Sequence, residues 1–208
     1  MSDKPSLLII GNSNVGKSAI TSLLLPNSKT YKGKSGKHPG STQLIKSISH
    51  LKLPYEIIDL PGFGFMKGIS RRREEHTKKQ LILHIEKHHS DYFLALIIIN
   101  ILRIEDELTK YHSTHSTTLP LSYELIQFLK EFNFPLLIII NKVDKVSDYH
   151  KQRIISLFVE GAKDYNIFLV PLTRIENYQN SIPYLEFSAL KKINLSLLKQ
   201  YIEFNLPN

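Results

Sequence analysis

The 208-residue chain contains no cysteine, which excludes a disulfide framework and a thiolate metal site and fits a reducing compartment. It has no apolar run near the ~20 residues that cross a bilayer. Its opening residues, Met1-Ser2-Asp3-Lys4-Pro5, lack the basic region and long apolar core of a secretory signal. A cytoplasmic protein with no integral membrane segment is therefore expected. No internal repeat is visible, and the length suits one domain that buries its core without staples.

Acidic residues are in short supply: 19 Asp and Glu stand against 27 Lys and Arg, a net charge of +8. Such a chain is drawn to polyanions, nucleic acid first and an anionic membrane surface second. The plain alternative is a solvated basic surface without a partner.

What is abundant is apolar runs alternating with amphipathic stretches. This predicts an α/β fold, a doubly wound, mostly parallel, six-stranded sheet with helices on both faces. Strands are expected at 7–10, 43–51 (at the edge), 55–59, 92–100, 136–140 and 184–187. Helices are expected at 17–25, 70–89, 121–132, 147–164 (with Ser147 as N-cap) and 195–204. The long stretch 27–41 is a basic loop of the kind that is functional or disordered. Arginines 71–73 oppose the dipole of the helix they open, which a phosphate-rich partner would explain and a solvated face would too. Residues 103–118 read as a polar loop with at most a short helix, 167–171 as an apolar segment with no place in the scheme, and 173–181 as a loop. His112 and His115 have no third ligand at a recognisable spacing and read as surface residues.

Chemistry concentrates at Gly11-Asn12-Ser13-Asn14-Val15-Gly16-Lys17-Ser18, between an apolar strand and a helix. This is the pattern of a phosphate-binding loop. Its glycines let the backbone wrap a phosphate chain, with successive N–H groups and the start of the next helix presenting positive charge. Lys17 would reach the β- and γ-phosphates, and the Ser18 hydroxyl would ligate Mg²⁺. Further along come Asp59-Leu60-Pro61-Gly62 and Asn141-Lys142-Val143-Asp144. Either alone is a pattern that chance supplies; in this order, each after a β-type run, they form a constellation.

These motifs resemble those of the Ras-like GTPases. More narrowly, Ser13 to Ser18, Pro39-Gly40-Ser41-Thr42-Gln43 and Asp59-Leu60-Pro61-Gly62-Phe63-Gly64-Phe65-Met66 resemble the EngB (YihA/YsxC) family of the TrmE-Era-EngA-EngB-septin branch. The resemblance implies a P-loop G domain spanning 1–208, binding GTP and GDP with Mg²⁺. It implies that Asp144 accepts from guanine N1–H and the 2-amino group, that Asn141 ties this loop to the phosphate loop, and that the Lys142 stem lies along the base. Val143, Phe187, Ser188, Ala189 and Leu190 complete the base site, the Ala189 N–H reading guanine O6. Asp59 would hold Mg²⁺ through water and Gly62 would contact the γ-phosphate, with Leu60 and Pro61 between them. Thr42, flanked by Gly40, Ser41, Gln43 and Leu44, is the second hydroxyl on Mg²⁺, and the 27–41 loop becomes a switch ordered by the γ-phosphate.

Phe63 stands where many relatives carry the glutamine that orients water, so hydrolysis needs another device. Asn14 suggests a K⁺ ion between the phosphates and the switch loop. The resemblance therefore expects catalysis from Lys17, Thr42, Gly62 and Asn14. Departures are Asn100-Ile101, where Asp-Ala is usual, and Leu190, where a lysine is usual.

The leading function is a monomeric GTP-hydrolysing switch that docks on a ribosomal particle or its RNA during large-subunit assembly. A GTP-gated scaffold in division or at a membrane is the alternative, unsupported by any basic amphipathic terminal helix or lipidation motif. An ATP-dependent P-loop enzyme is disfavoured by Asn141-Lys142-Val143-Asp144.

Overall fold

In a computed structural model, residues 4–26, 45–62, 71–113, 120–177 and 180–207 are described. The apolar runs become strands β1 (Ser6–Gly11), β2 (Lys46–Ile48), β3 (Glu56–Asp59), β4 (Tyr92–Asn100), β5 (Leu136–Asn141), β6 (Leu169–Pro171) and β7 (Ile182–Glu186). They form one sheet in the order β2-β3-β1-β4-β5-β7-β6. Every pairing is parallel except the antiparallel edge pair β2–β3. Helices are α1 (Lys17–Leu24), α2 (Arg71–His88), α3 (Ile101–Ser113), α4 (Leu121–Lys130), α5 (Asp148–Lys163) and α6 (Leu195–Asn205).

All residues of β1, β4 and β5 are buried, because helices cover both faces and leave no side of these strands for polar groups. Alternate residues serve opposite cores. Leu8, Ile10, Ala95, Ile97 and Ile99 pack with Leu81, Ile104, Ile126 and Phe158 from α2 to α5. Leu7, Ile9, Leu94, Leu96 and Ile98 pack with Ile20, Leu24, Leu198 and Ile202 from α1 and α6.

The sheet has seven strands, one more than the six expected. The extra one is β6, within the apolar segment that had no place, which pairs Leu169 with Ile182 and Val170 with Pro183. A three-residue strand shows no alternation to read, and Pro171, which lacks an N–H, is tolerated at a sheet edge. A second correction concerns 103–118: residues up to Ser113 are helical. Ile101, Ile104 and Leu108 pack on the core at the i, i+3, i+7 spacing of one helix face, and the polar residues between them hid that stripe. Leu51, expected in the edge strand, is fully exposed in the turn after β2. Residues 173–177 form part of a 3₁₀ turn rather than open loop. Ser147 does cap α5, its hydroxyl accepting from the His150 N–H at 3.4 Å.

Register decides where the site falls. Gly11 lies beside Ile98, Ile9 beside Asp59, and Asn100 beside Asn141. The carboxyl ends of β1, β3, β4 and β5 therefore reach one edge, where open α/β sheets bind ligands.

Candidate functional site

The loop after β1 turns on two glycines. Gly11 has φ +151°, and a Cβ there would lie 2.2 Å from the Ile98 carbonyl oxygen; Gly16 has φ +108°, with its Cβ 2.3 Å from Asn141 Nδ2. Neither position admits a side chain. Between them Asn14 sits at φ 62°, a left-handed conformation that asparagine tolerates.

Each carbonyl from Gly11 to Val15 accepts a hydrogen bond from a side chain. Lys17 Nζ donates to Gly11 and Asn12 at 2.9 Å each. Arg103 Nη1 donates to Ser13 at 3.3 Å, Lys142 Nζ to Asn14 at 2.7 Å, and Asn141 Nδ2 to Val15 at 2.8 Å. A trans peptide is planar, so fixing these carbonyls turns the N–H groups of residues 12–16 to the opposite side, a concavity suited to an anion.

Lys17 is buried, and burial lowers its pKa to about 8 against the opposing effect of the Asp59 carboxylate. A partly desolvated cation at the base of an N–H concavity favours an anionic ligand. Asp59 itself is 1% exposed at the end of β3. Leu60 N–H donates to the Ile9 carbonyl at 3.1 Å and holds the following turn against β1. The turn brings Gly62 onto the loop crest, where a Cβ on Gly62 would lie 2.4 Å from Ser13 Oγ.

The third segment is tied just as closely. Asn141 Oδ1 accepts the Ala189 N–H at 3.1 Å while its amide holds Val15. Lys142 takes a left-handed φ of 69°, and its pKa is lowered by burial first and then by Arg103 and Lys145, with Asp144 opposing. Ser188 Oγ donates to Asp144 Oδ1 and accepts the Lys191 N–H at 3.0 Å. Val143 N–H donates to the Phe187 carbonyl at 3.2 Å. Val15, Leu60, Val143 and Phe187 are buried, so they shape the site through the backbone. Leu190 is 69% exposed beside Ala189, and Asn14 and half-buried Ser18 line the loop's open side.

The structure thus brings together Gly11 to Ser18, Asp59 to Gly62, Asn141 to Asp144 and Phe187 to Leu190. Gly40, Ser41, Thr42, Gln43 and Leu44 lie outside the described residues, as do Phe63 and His115. Among the described residues no cluster of His, Asp or Glu is arranged to hold a metal, and no helix is long and apolar enough to cross a membrane. Arg103 escaped the sequence reading. The one available signal was the Ile101-Ile104-Leu108 stripe, which starts a helix directly at the strand end and places Arg103 beside the phosphate loop. Asn100 makes that abrupt start possible, its Oδ1 accepting the Leu102 N–H at 3.2 Å.

A mostly parallel sheet with a glycine-rich loop after its first strand defines a P-loop nucleotide-binding protein. The coupling of that loop to an Asn-Lys-x-Asp segment narrows the class to the GTPases.

A family model described as 50S ribosome-binding GTPase matches residues 6–142. The chain is similar to the probable GTP-binding protein EngB of Pyrococcus horikoshii, 28% identical over 197 residues that cover 95% of this chain and 82% of that one. It is also similar to the EngB of Pyrococcus abyssi, 30% identical over 155 residues, 74% of this chain and 69% of that one. Its structure superposes on the crystal structure of a probable GTP-binding protein EngB with a TM-score of 0.76 at 28% identity, covering 96% of this chain and 97% of that one. The chain belongs to the EngB family of GTPases.

Proposed function

We propose that residues 1–208 form one G domain that acts as a GTP-hydrolysing, Mg²⁺-dependent switch in assembly of the large ribosomal subunit. The observation that carries the nucleotide assignment is the double use of Asn141, whose amide holds Val15 of the phosphate loop while its carbonyl oxygen holds the Ala189 N–H. One side chain locks the phosphate and base subsites at a fixed separation, as a ligand with a triphosphate at one end and a purine at the other requires. Asp144, fixed by Ser188, offers acceptors that match guanine N1–H and its 2-amino group and that adenine cannot satisfy.

The donor set fits magnesium: a buried carboxylate, Asp59, and a hydroxyl, Ser18, are hard oxygens close to Lys17. Ser18 would bind the ion directly, Asp59 through water, and Thr42 would add the second hydroxyl. When bound, the ion neutralises charge that builds on the phosphates. Lys17 would position the β- and γ-phosphates, Gly62 would meet the γ-phosphate with its N–H, and Asn14 would provide an oxygen for K⁺ where Phe63 offers no group to orient water.

The ribosomal role is supported by the description of the matching family, 50S ribosome-binding GTPase, and by a net charge of +8 suited to folded RNA. The nucleotide reading is tested by competition against labelled GDP: GTP displaces it and ATP does not. The ribosomal reading is tested by co-sedimentation with ribosomal particles, which should depend on whether GTP, GDP or no nucleotide is present. Equal recovery in all three buffers would overturn a nucleotide-controlled docking role.

A further inference from the structure

We propose that Arg103, the third residue of α3, is a positioning residue for GTP hydrolysis: through the Ser13 carbonyl it fixes the crest of the phosphate loop against Gly62. The inference rests on the nucleotide-site reading above and adds a residue to it.

Ser13 is held from two sides. Arg103 Nη1 donates to its carbonyl oxygen at 3.3 Å. A Cβ built on Gly62 would lie 2.4 Å from Ser13 Oγ and 2.9 Å from both its N and its Cα. The spacing between the loop crest and Gly62, which the γ-phosphate must share, is therefore set by the peptide that Arg103 grips. The neighbouring carbonyls are held by Lys17 from within the loop and by Asn141 and Lys142 from β5 and the residue after it. The Ser13 carbonyl takes its bond from α3.

The arginine is itself well placed. β4 passes directly into α3, and Asn100 Oδ1 caps the junction through the Leu102 N–H. The position of Arg103 is thus inherited from the sheet rather than from a loop. One turn on, Glu107 accepts the Ser122 N–H at 2.6 Å and the Ser122 hydroxyl at 3.0 Å, which fastens α3 to the start of α4. Arg103 and Glu107 are close enough to influence each other: burial raises the Glu107 pKa and the guanidinium works against that rise. A rigid strand end, a fixed helix and a charged counterpart together hold the guanidinium where it meets Ser13.

Catalysis by alignment is sensitive to displacements of about 1 Å, which can cost up to about a hundredfold in rate. GDP has no γ-phosphate, so its affinity should depend far less than kcat on the spacing from Ser13 to Gly62. This separates positioning from general support of the loop.

The test uses the full chain, with Arg103→Ala and Arg103→Lys compared with wild type for kcat, KM, affinity for labelled GDP and melting temperature. Arg103→Ala should lower kcat by roughly tenfold or more while GDP affinity, with the four neighbouring carbonyls still held, falls by no more than about threefold. Arg103→Lys should recover most of the lost kcat, because an ammonium can donate to the same carbonyl. An unchanged kcat in Arg103→Ala would overturn the proposal. So would a parallel fall in kcat, GDP affinity and melting temperature, which would mark a purely structural contact. A lysine variant as slow as the alanine one, with normal GDP affinity, would overturn positioning in favour of direct action on the phosphates. Failure of the wild type to bind labelled GDP would instead overturn the nucleotide-site reading on which the inference stands.

Discussion

Asn141 Nδ2 and the carbonyl oxygen of Val15, 126 positions apart in the chain, are joined by a 2.8 Å hydrogen bond buried between β5 and the phosphate loop. With the Ala189 N–H on its other amide atom, Asn141 joins the phosphate loop to the Ala189 segment, the two halves of the proposed nucleotide site. Asn141→Ala leaves a buried carbonyl and an N–H without their partner, each costing about 1–3 kcal/mol. GDP affinity should fall by at least about thirtyfold, measured by titration of labelled nucleotide; a loss under threefold would contradict the joint.

Asp144→Ala should act on selectivity rather than on phosphate binding, since Asp144 bonds Ser188 while the loop carbonyls are held by Lys17, Arg103, Lys142 and Asn141. A site that hydrogen-bonds a particular base edge rejects analogues strongly, by factors that can reach about ten thousand. Removing the carboxylate should reduce the ratio of ATP to GTP competition constants by at least about a hundredfold. An unchanged ratio would remove the guanine assignment.

Lys17 gives the nucleotide-free protein a distinctive pH dependence. Its pKa is lowered from 10.5 to about 8, chiefly by burial, so between these values the unfolded chain binds more protons than the folded one. Stability contributed by this group therefore rises with pH, from about pH 8 upward, by about 3 kcal/mol over the whole interval. Tyr55, raised to about 12 by burial, and Tyr92 and Tyr123, raised further, oppose the trend above about pH 10. There the unfolded tyrosines ionise while the folded ones stay neutral. The melting temperature without nucleotide should rise from pH 8 towards 10 and then fall. Saturating GDP should flatten the rise, because phosphate holds Lys17 charged. A Lys17→Met variant that retained the rise would show that another group causes it.

Gly16→Ala places a methyl group 2.3 Å from Asn141 Nδ2 in a backbone conformation, φ +108°, that L side chains rarely adopt. Strain of this kind costs of order 1–3 kcal/mol, so the melting temperature should drop by several degrees. GDP affinity should fall with it, because the displaced neighbour is the joint itself. A variant with wild-type melting and affinity would show that the loop can rearrange around the methyl group.

Potassium dependence is a matter of ion identity at constant ionic strength. Asn14 is exposed with its own carbonyl held by Lys142, and under the proposed function its side-chain oxygen would meet a monovalent ion. The kcat for GTP should be several-fold higher in KCl than in NaCl, and Asn14→Ala should abolish the difference. Equal rates in the two salts would remove the ion from the mechanism.

The phosphate loop, Asp59 to Gly62 and Asn141 to Asp144 were legible in the sequence because their chemistry is local. Glycines are required at particular φ values, and the acidic and amide residues directly follow apolar strands. The parallel sheet was legible too, since β1, β4 and β5 are buried on both faces and must be continuously apolar. Strand β6 was not: its three residues are too few for any period, and only pairing with β7 makes them a strand. Helix α3 was hidden because most of its residues are polar and, among the described side chains, Ile101, Ile104 and Leu108 are the ones that meet the core. The grip of Arg103 on Ser13, across 90 positions, belongs to tertiary structure alone. No spacing along the chain encodes it, because it arises from the register that sets β4 beside β1 and starts a helix where the strand stops.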